Sequence, residues 1–230
     1  IDLCPVGALN NKPYRYSARS WEMVQHETIA AHDCVGSNLY AHVLRGKIKR
    51  IVPRENESIN ETWLSDRDRF SYEGVYSENR LTTPMRKKAD QWETISWEEA
   101  LLEVVEKIKL AEPAATAFLA SPSSTIEECY LLSKLAEERG INSLDHRLRV
   151  KDFTDQANDP NEPLLGIEIA AIEQCDQIIL IGSDIRREAP ILGHRIRKAA
   201  LSGANISIID ENIHQYYFDL QTYLSDGLIK

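Results

Sequence analysis

Residues 176–210 read DQIILIGSDIRREAPILGHRIRKAALSGANISIID, and the fold class rests on how this stretch divides. QIILIG is a short apolar run that predicts a strand. A helix follows through GHRIRKAAL, Gly203 stops it, and NISIID predicts the next strand. The same alternation continues upstream. GIEIAAIEQ, residues 166–174, predicts a helix, and TAFLA, residues 116–120, predicts a buried strand. The helix containing CYLLSKLAEE is opened by Ser124 with Glu127 at capping-box spacing, and Gly140 stands where a helix end needs a left-handed residue. In SWEEALLEVVEKIK, Ser96 and Glu99 form another such pair, Ala100, Leu101, Val104, Val105 and Ile108 recur at helical period, and Pro113 ends the segment. Helices alternating with short apolar strands imply right-handed βαβ crossovers on a mostly parallel sheet, so residues 81–230 read as α/β layers.

Towards the N-terminus the character changes. LYAHVL and KIKRIVP are two β runs joined at Arg45-Gly46, a hairpin in which Gly46 takes the positive φ of the turn. An irregular stretch with Trp63, Phe70 and Tyr72 follows, its large rings anchoring a region of little regular structure. Residues 25–80 thus read as a small β-rich module. Residues 1–24 are loop-rich, with YRYSARSW presenting aromatic and basic side chains as a docking tail. Ile1 follows no methionine, charged leader or signal-length apolar run, which reads as a cut inside a longer polypeptide.

At 230 residues and 26.2 kDa, the chain has room for one large domain or two modest ones. No stretch approaches the roughly 20 apolar residues that span a bilayer, so no direct membrane insertion is expected. A net charge of -9 argues against nucleic-acid binding and against a general affinity for anionic membranes. Short basic runs such as Arg86-Lys87-Lys88 read as solvated faces. The cysteines at 4, 34, 129 and 175 are too dispersed for a disulfide framework and fit a reducing compartment.

Few residues offer chemistry. The Gly182-Ser183-Asp184 turn lies between a strand and a helix, where open α/β sheets bind ligands, but it matches neither a dinucleotide fingerprint nor a phosphate loop. Asp184 and Glu188 crowd it, with Arg186 and Arg187 available to pair with them, so it reads as an internally neutralised structural turn that binds no nucleotide. His32 and Cys34 lack a second pair at zinc-site spacing. Cys129 and Cys175 read as core thiols. His194 and His214 have no nucleophile in context, leaving no catalytic candidate. Cys4 is different, because a cysteine directly before proline is how ferredoxin-type runs end around a [4Fe-4S] cluster.

IDLCPVGALNNKPYRYSARSW, then HDCVGSN, RIVPRENESINETWLSDRDRFSYEG and RLTTPM, closely resembles the large iron-sulfur subunit (the G-type subunit) of bacterial complex I, the proton-pumping NADH:quinone oxidoreductase. The resemblance runs from residue 1 through at least residue 100, with a less distinctive but compatible α/β remainder of the molybdopterin-oxidoreductase type.

It implies that residues 1–24 are the tail of a ferredoxin-like iron-sulfur region and that Cys4 is the distal ligand of a [4Fe-4S] cluster whose other three cysteines lie upstream. It implies that residues 25–80 are a degenerate module of the kind that holds a further [4Fe-4S] cluster. In AHDCVGSNL and WLSDRDRF only Cys34 remains, with Ala31, Ser37 and Ser65 at or near the other cysteine places, and one thiolate cannot hold a cubane. Residues 81–230 become part of a molybdopterin-oxidoreductase-like α/β domain without its cofactor, since Glu211-Asn212 follows NISIID where catalytic relatives often carry a base. The function implied is a scaffold within an electron-transfer subunit, in an assembly that passes electrons from NADH through flavin and clusters to quinone. Its partners would be the other peripheral-arm subunits, on the cytoplasmic side of the bacterial inner membrane. These 230 residues alone would hold no cofactor and have no activity. The alternative is a molybdopterin-dependent oxidoreductase such as a formate dehydrogenase.

Overall fold

A computed structural model describes residues 1–147, 154, 156–158 and 164–225. They fall into two compact units, Ile1–Tyr76 with Glu162–Lys230, and Ser77–Asn161.

The first unit begins with a turn-rich segment and an antiparallel sheet in the order β1-β2-β3: β1 Val24–Ile29, β2 Asn38–Leu44 and β3 Lys47–Pro53. The expected hairpin is present. Arg45 (φ 51°) as well as Gly46 (φ 74°) adopts the left-handed region, which matches the strand twist as a type I′ turn does. Ala30, Leu39, Ile51 and Leu64 form its small core. The segment expected to have little regular structure contains one short helix, α1 Asp66–Ser71. Ser65 caps it by accepting the Asp68 N–H at 3.1 Å, a local signal within WLSDRDRF. Of its rings, Tyr72 donates to the Lys49 carbonyl at 2.9 Å and ties the helix end to β3.

The second unit holds an antiparallel hairpin, β4 Met85–Lys88 with β5 Gln91–Thr94, and then α2 Trp97–Leu110. The basic run is thus a strand, with Arg86 paired to Glu93 at 2.5 Å. The Ser96/Glu99 capping box forms as expected. β6 Ala117–Leu119 and β7 Ser143–Asp145 pair in parallel, with α3 Ile126–Arg139 between them. The cap of α3 lies one residue later than expected. Thr125, not Ser124, accepts from Glu128 N at 3.2 Å, because the Ser124 N–H is spent in a turn to the Ser121 carbonyl. Gly140 closes the helix at φ 66°. TAFLA is a strand but not a buried one, and Leu119 is 68 % exposed. Periodicity fixes which residues share a face, not whether anything covers it; α2 likewise has no buried residue. Cys129 on α3 is exposed, against the core position expected of it.

The remainder of the first unit supplies the parallel sheet, order β10-β9-β8: β8 Gln177–Ile181, β9 Asn205–Ile209 and β10 Thr222–Leu224. Between β8 and β9 lie α4 Ile185–Glu188 and α5 Pro190–Leu201. The expected helix before β8 is a 3-10 helix, Ile169–Gln174, whose end leaves Cys175 half-buried with its thiol 3.8 Å from the Ala171 carbonyl. Ile206 and Ile208 are fully buried against Leu180, Ile185 and Ile196. Each such side chain contributes about 1.5–3 kcal/mol on burial. Gly203 (φ 105°) follows α5 as its stop. No helix among the described residues is long and apolar enough to cross a membrane.

Candidate functional site

Cys4 sits in a tight loop. Its N–H donates to the Ile1 carbonyl and its own carbonyl accepts from Gly7, both at 3.3 Å. The chain then curls so that the Leu9 N–H reaches the thiol sulfur at 3.5 Å. That amide outweighs the opposing effect of desolvation and, with smaller help from those of Ala8, Val6 and Gly7, holds the thiol below its ordinary pKa. Backbone N–H groups converging on a sulfur favour thiolate, the form that ligates iron, and such bonds also tune cluster potentials. The donor chemistry at Cys4 therefore fits one corner of an iron-sulfur cluster. Two residues away, Asp2 pairs with Arg69 of α1 at 2.7 Å, and this guanidinium is nearly buried. The Cys4 loop is thus anchored to the helix that follows Ser65.

Around Cys34 the chemistry is different. One oxygen of Asp33 accepts N–H groups from Val35, Gly36 and Ser37 at 3.2, 2.8 and 3.3 Å, and the other accepts the Ser37 hydroxyl. Ser37 is fully buried. Across from it, Asp68 accepts the Ser65 hydroxyl at 2.6 Å and the His32 N–H at 3.2 Å, joining the loop to the start of α1. The Cys34 thiol is pushed up by desolvation and by the Asp33 carboxylate. Both hydroxyls at the expected cysteine places are bound to carboxylates, and the one thiol present is disfavoured as thiolate. Among the described residues no group of three or more His, Cys, Asp or Glu side chains is placed to hold a metal. This donor set does not fit a cubane cluster.

The strand-end crevice can be tested against a pyranopterin dinucleotide in the same way. Gly182 (φ 57°) continues the sheet by donating to the Ile209 carbonyl at 2.8 Å, so the turn leaves β8 without opening a loop. Asp184 and Asp210, at the ends of β8 and β9, are bridged by His214 at 3.6 and 3.3 Å. Burial, then the charges of Asp210 and Asp184, push the nearby Tyr216 hydroxyl up. A pyrophosphate would meet that negative field, and the group does not fit. The expected pairing of the arginines with local carboxylates is half right. Arg187 reaches Asp184 at 3.5 Å, but Arg186 donates to Gln215 at 2.7 Å and lies over the Tyr217 ring. Glu188 accepts the Ser183 hydroxyl instead.

A cluster that local sequence reading missed joins the β module to the parallel sheet. Glu61, in the left-handed region at φ 49°, receives His194 at 2.8 Å and Arg195 at 3.2 Å, and pairs with Lys198. Arg195 is 3 % exposed and also engages Glu173 and the Glu57 and Ile59 carbonyls. Burial would raise the Glu61 carboxyl, but hydrogen bonds from Lys198 and His194 and the charges of Arg195 and Lys198 outweigh it and hold the group at about 2.

Two family models match, and they meet close to where the β module ends. Residues 23–73 match the NADH-ubiquinone oxidoreductase NDSU1/NuoG-like 4Fe-4S domain, and residues 80–226 match the molybdopterin oxidoreductase model. The chain belongs to the molybdopterin oxidoreductase family. It is similar to the NADH-quinone oxidoreductase G subunit of Rickettsia felis, 37% identical over 218 residues that cover 94% of this chain and 32% of the relative. The corresponding G subunit of Rickettsia conorii is 39% identical over 90% of this chain and 31% of its own length. The mitochondrial NADH-ubiquinone oxidoreductase 78 kDa subunit of Candida albicans is 35% identical over 94% and 30%. The chain spans about a third of the length of these relatives. Their names support the NADH–quinone reading over a formate dehydrogenase.

Proposed function

We propose that the chain is part of the iron-sulfur electron-transfer subunit of an NADH:quinone oxidoreductase, divided as a ferredoxin-like tail over 1–24, a degenerate cluster module over 25–80 and a partial α/β domain over 81–230. Within it Cys4 is one ligand of a [4Fe-4S] cluster completed by cysteines outside these residues, and the remainder is scaffold. The cluster, when bound, carries one electron at a time. This chain's own part is to present a thiolate stabilised by amide donors and to fix its loop through Asp2 and Arg69. The partners are the other peripheral-arm subunits of the complex, on the cytoplasmic side of the bacterial inner membrane, with no nucleic acid and no direct membrane insertion. The 230 residues alone hold no cofactor.

The observation that carries this reading is the amide-lined thiol of Cys4, with Leu9 N at 3.5 Å, against the carboxylate-bound hydroxyls around Cys34. The test uses the full-length subunit in its complex. Cys4→Ala is expected to remove one [4Fe-4S] signal from the low-temperature paramagnetic resonance spectrum, and Cys34→Ser to leave every signal in place. Equal loss from the two substitutions, or no loss from Cys4→Ala, overturns the assignment.

A further inference from the structure

Asp2 and Arg69 do more than tether the Cys4 loop. Asp2 is the only Asp, Glu, Lys, Arg or His between residues 1 and 11, so it is the one charged side chain that the loop itself brings towards the thiol. The turn closed by the Cys4 N–H on the Ile1 carbonyl keeps the two residues close, and even an extended chain would place their Cα atoms no more than about 7 Å apart. Arg69 answers that charge. Its Nη1 stands 2.7 Å from Asp2 Oδ2 yet makes no hydrogen bond there, so attraction between charges links the pair. The Arg69 side chain is 7% exposed and that of Asp2 24%, and solvent screens such charges less than surface ones. The second counter-ion of Arg69 is Asp66 at 3.4 Å, but that side chain is 83% exposed and water weakens its hold.

Two opposite charges in contact act at a distance as a small dipole, and their fields largely cancel. Removing either one leaves a whole charge. What that does to a redox centre follows from its sign. Reduction of a [4Fe-4S] cluster adds one electron from a neighbouring carrier, makes and breaks no bond, and lowers the net charge by one; a bare carboxylate nearby opposes this and a bare guanidinium favours it. At ~7–10 Å, with an effective dielectric constant of about 20, one unit charge changes such an equilibrium by about ten- to fiftyfold. Screening at the partly exposed Asp2 brings the expectation down to about three- to tenfold.

We propose that Asp2 and Arg69 form a potential-setting pair for the [4Fe-4S] cluster assigned to Cys4, in which Arg69 masks the Asp2 charge and holds the midpoint potential above the value a bare carboxylate would impose. Neither side chain is a ligand, and the pair's role rests on the ligand role given to Cys4. The test is a dithionite titration of the full-length subunit in its complex, followed by low-temperature paramagnetic resonance on the signal that Cys4→Ala removes. Arg69→Gln should disfavour reduction about three- to tenfold, a fall of ~30–60 mV for one electron. Asp2→Asn should shift the potential the other way, by less, because Asp66 still offsets part of the Arg69 charge. The double variant Asp2→Asn/Arg69→Gln should return close to wild type, and Arg69→Lys, which keeps the charge, should stay there. Both single variants lose the tether equally, so a merely structural role would move them in the same direction. Shifts of one sign, shifts both under about 1.5-fold (~10 mV), or a double variant displaced as far as Arg69→Gln overturn the pair. Each sign stands by itself, so one single variant that assembles decides the matter. If Cys4→Ala removes no signal, the ligand reading falls and the pair's redox role with it, whereas same-sign or absent shifts in a signal that Cys4→Ala does remove overturn the pair alone.

Discussion

Replacing Glu61 by Gln removes one negative charge from the ion cluster and leaves its shape. The carboxyl is held at about 2 instead of its ordinary 4.5. At ~1.4 kcal/mol per unit this depression corresponds to about 3 kcal/mol of stability at neutral pH. Discounting is modest, because the Glu61 side chain is only 15% exposed and Arg195 3%. Glu61→Gln should therefore lower the unfolding free energy of the first unit by about 2–3 kcal/mol at pH 7, short of the ~3–5 of a fully broken buried pair, since Arg195 keeps Glu173. The sign of the pH dependence follows from the depressed value: the contribution is complete above about 4.5 and is lost as pH falls towards about 2. Urea unfolding between pH 7 and pH 3, with hydrogen exchange read on peptides covering residues 56–64 and 190–201, checks both. The gap between wild type and variant should be widest at pH 7 and narrow steadily below pH 4.5. A gap under about 0.5 kcal/mol at pH 7, or one that stays constant down to pH 3, refutes the reasoning, since surface pairs give no more than that. Glu61→Gly adds an internal control. It should cost ~1 kcal/mol less than Glu61→Ala, because glycine alone is unstrained at φ 49°.

Asn60, 1% exposed, accepts the Asn38 N–H at 2.9 Å and donates to the Arg54 and Trp63 carbonyls at 3.1 and 3.0 Å. Asn60→Ala leaves those groups unpaired and should cost about 3 kcal/mol in urea unfolding. Thr125→Ala should destabilise the second unit by ~1 kcal/mol while Ser124→Ala stays within about 0.5, and the reverse order would return the helix cap to Ser124.

How much of this could be read from the chain depended on the sequence distance between partners. The Ser96/Glu99 capping box, the stop at Gly140 and the Arg45-Gly46 turn all involve residues within four positions of one another, and all are found where they were expected. Where two residues could serve the same local role, as Ser124 and Thr125 could, local rules place the helix start to within one residue and a neighbouring turn bond decides between them. Burial was less legible. The stripe Leu101, Val104 and Val105 has helical period, but the first two are 59% and 50% exposed. A pattern specifies a face without specifying its cover.

The Glu61 cluster was illegible for the same reason in stronger form. Glu61 meets His194, Arg195 and Lys198 across 133, 134 and 137 positions, and nothing in INETW marks the residue that accepts a strained backbone to reach them. The acid pair around Cys34 is a subtler case. Reading AHDCVGSNL for sulfur ligands directs attention to Cys34 and to the residues in cysteine places, whereas Asp33, beside it, closes the loop by collecting three N–H groups and a hydroxyl. In WLSDRDRF the same holds: Ser65 stands near a cysteine place, and Asp68 binds its hydroxyl and reaches back to His32. A carboxylate can satisfy the backbone donors of a tight loop with no metal at its centre. Asp33 and Asp68 therefore account for the closed geometry of the loop that a search for ligands alone would have left without a cause.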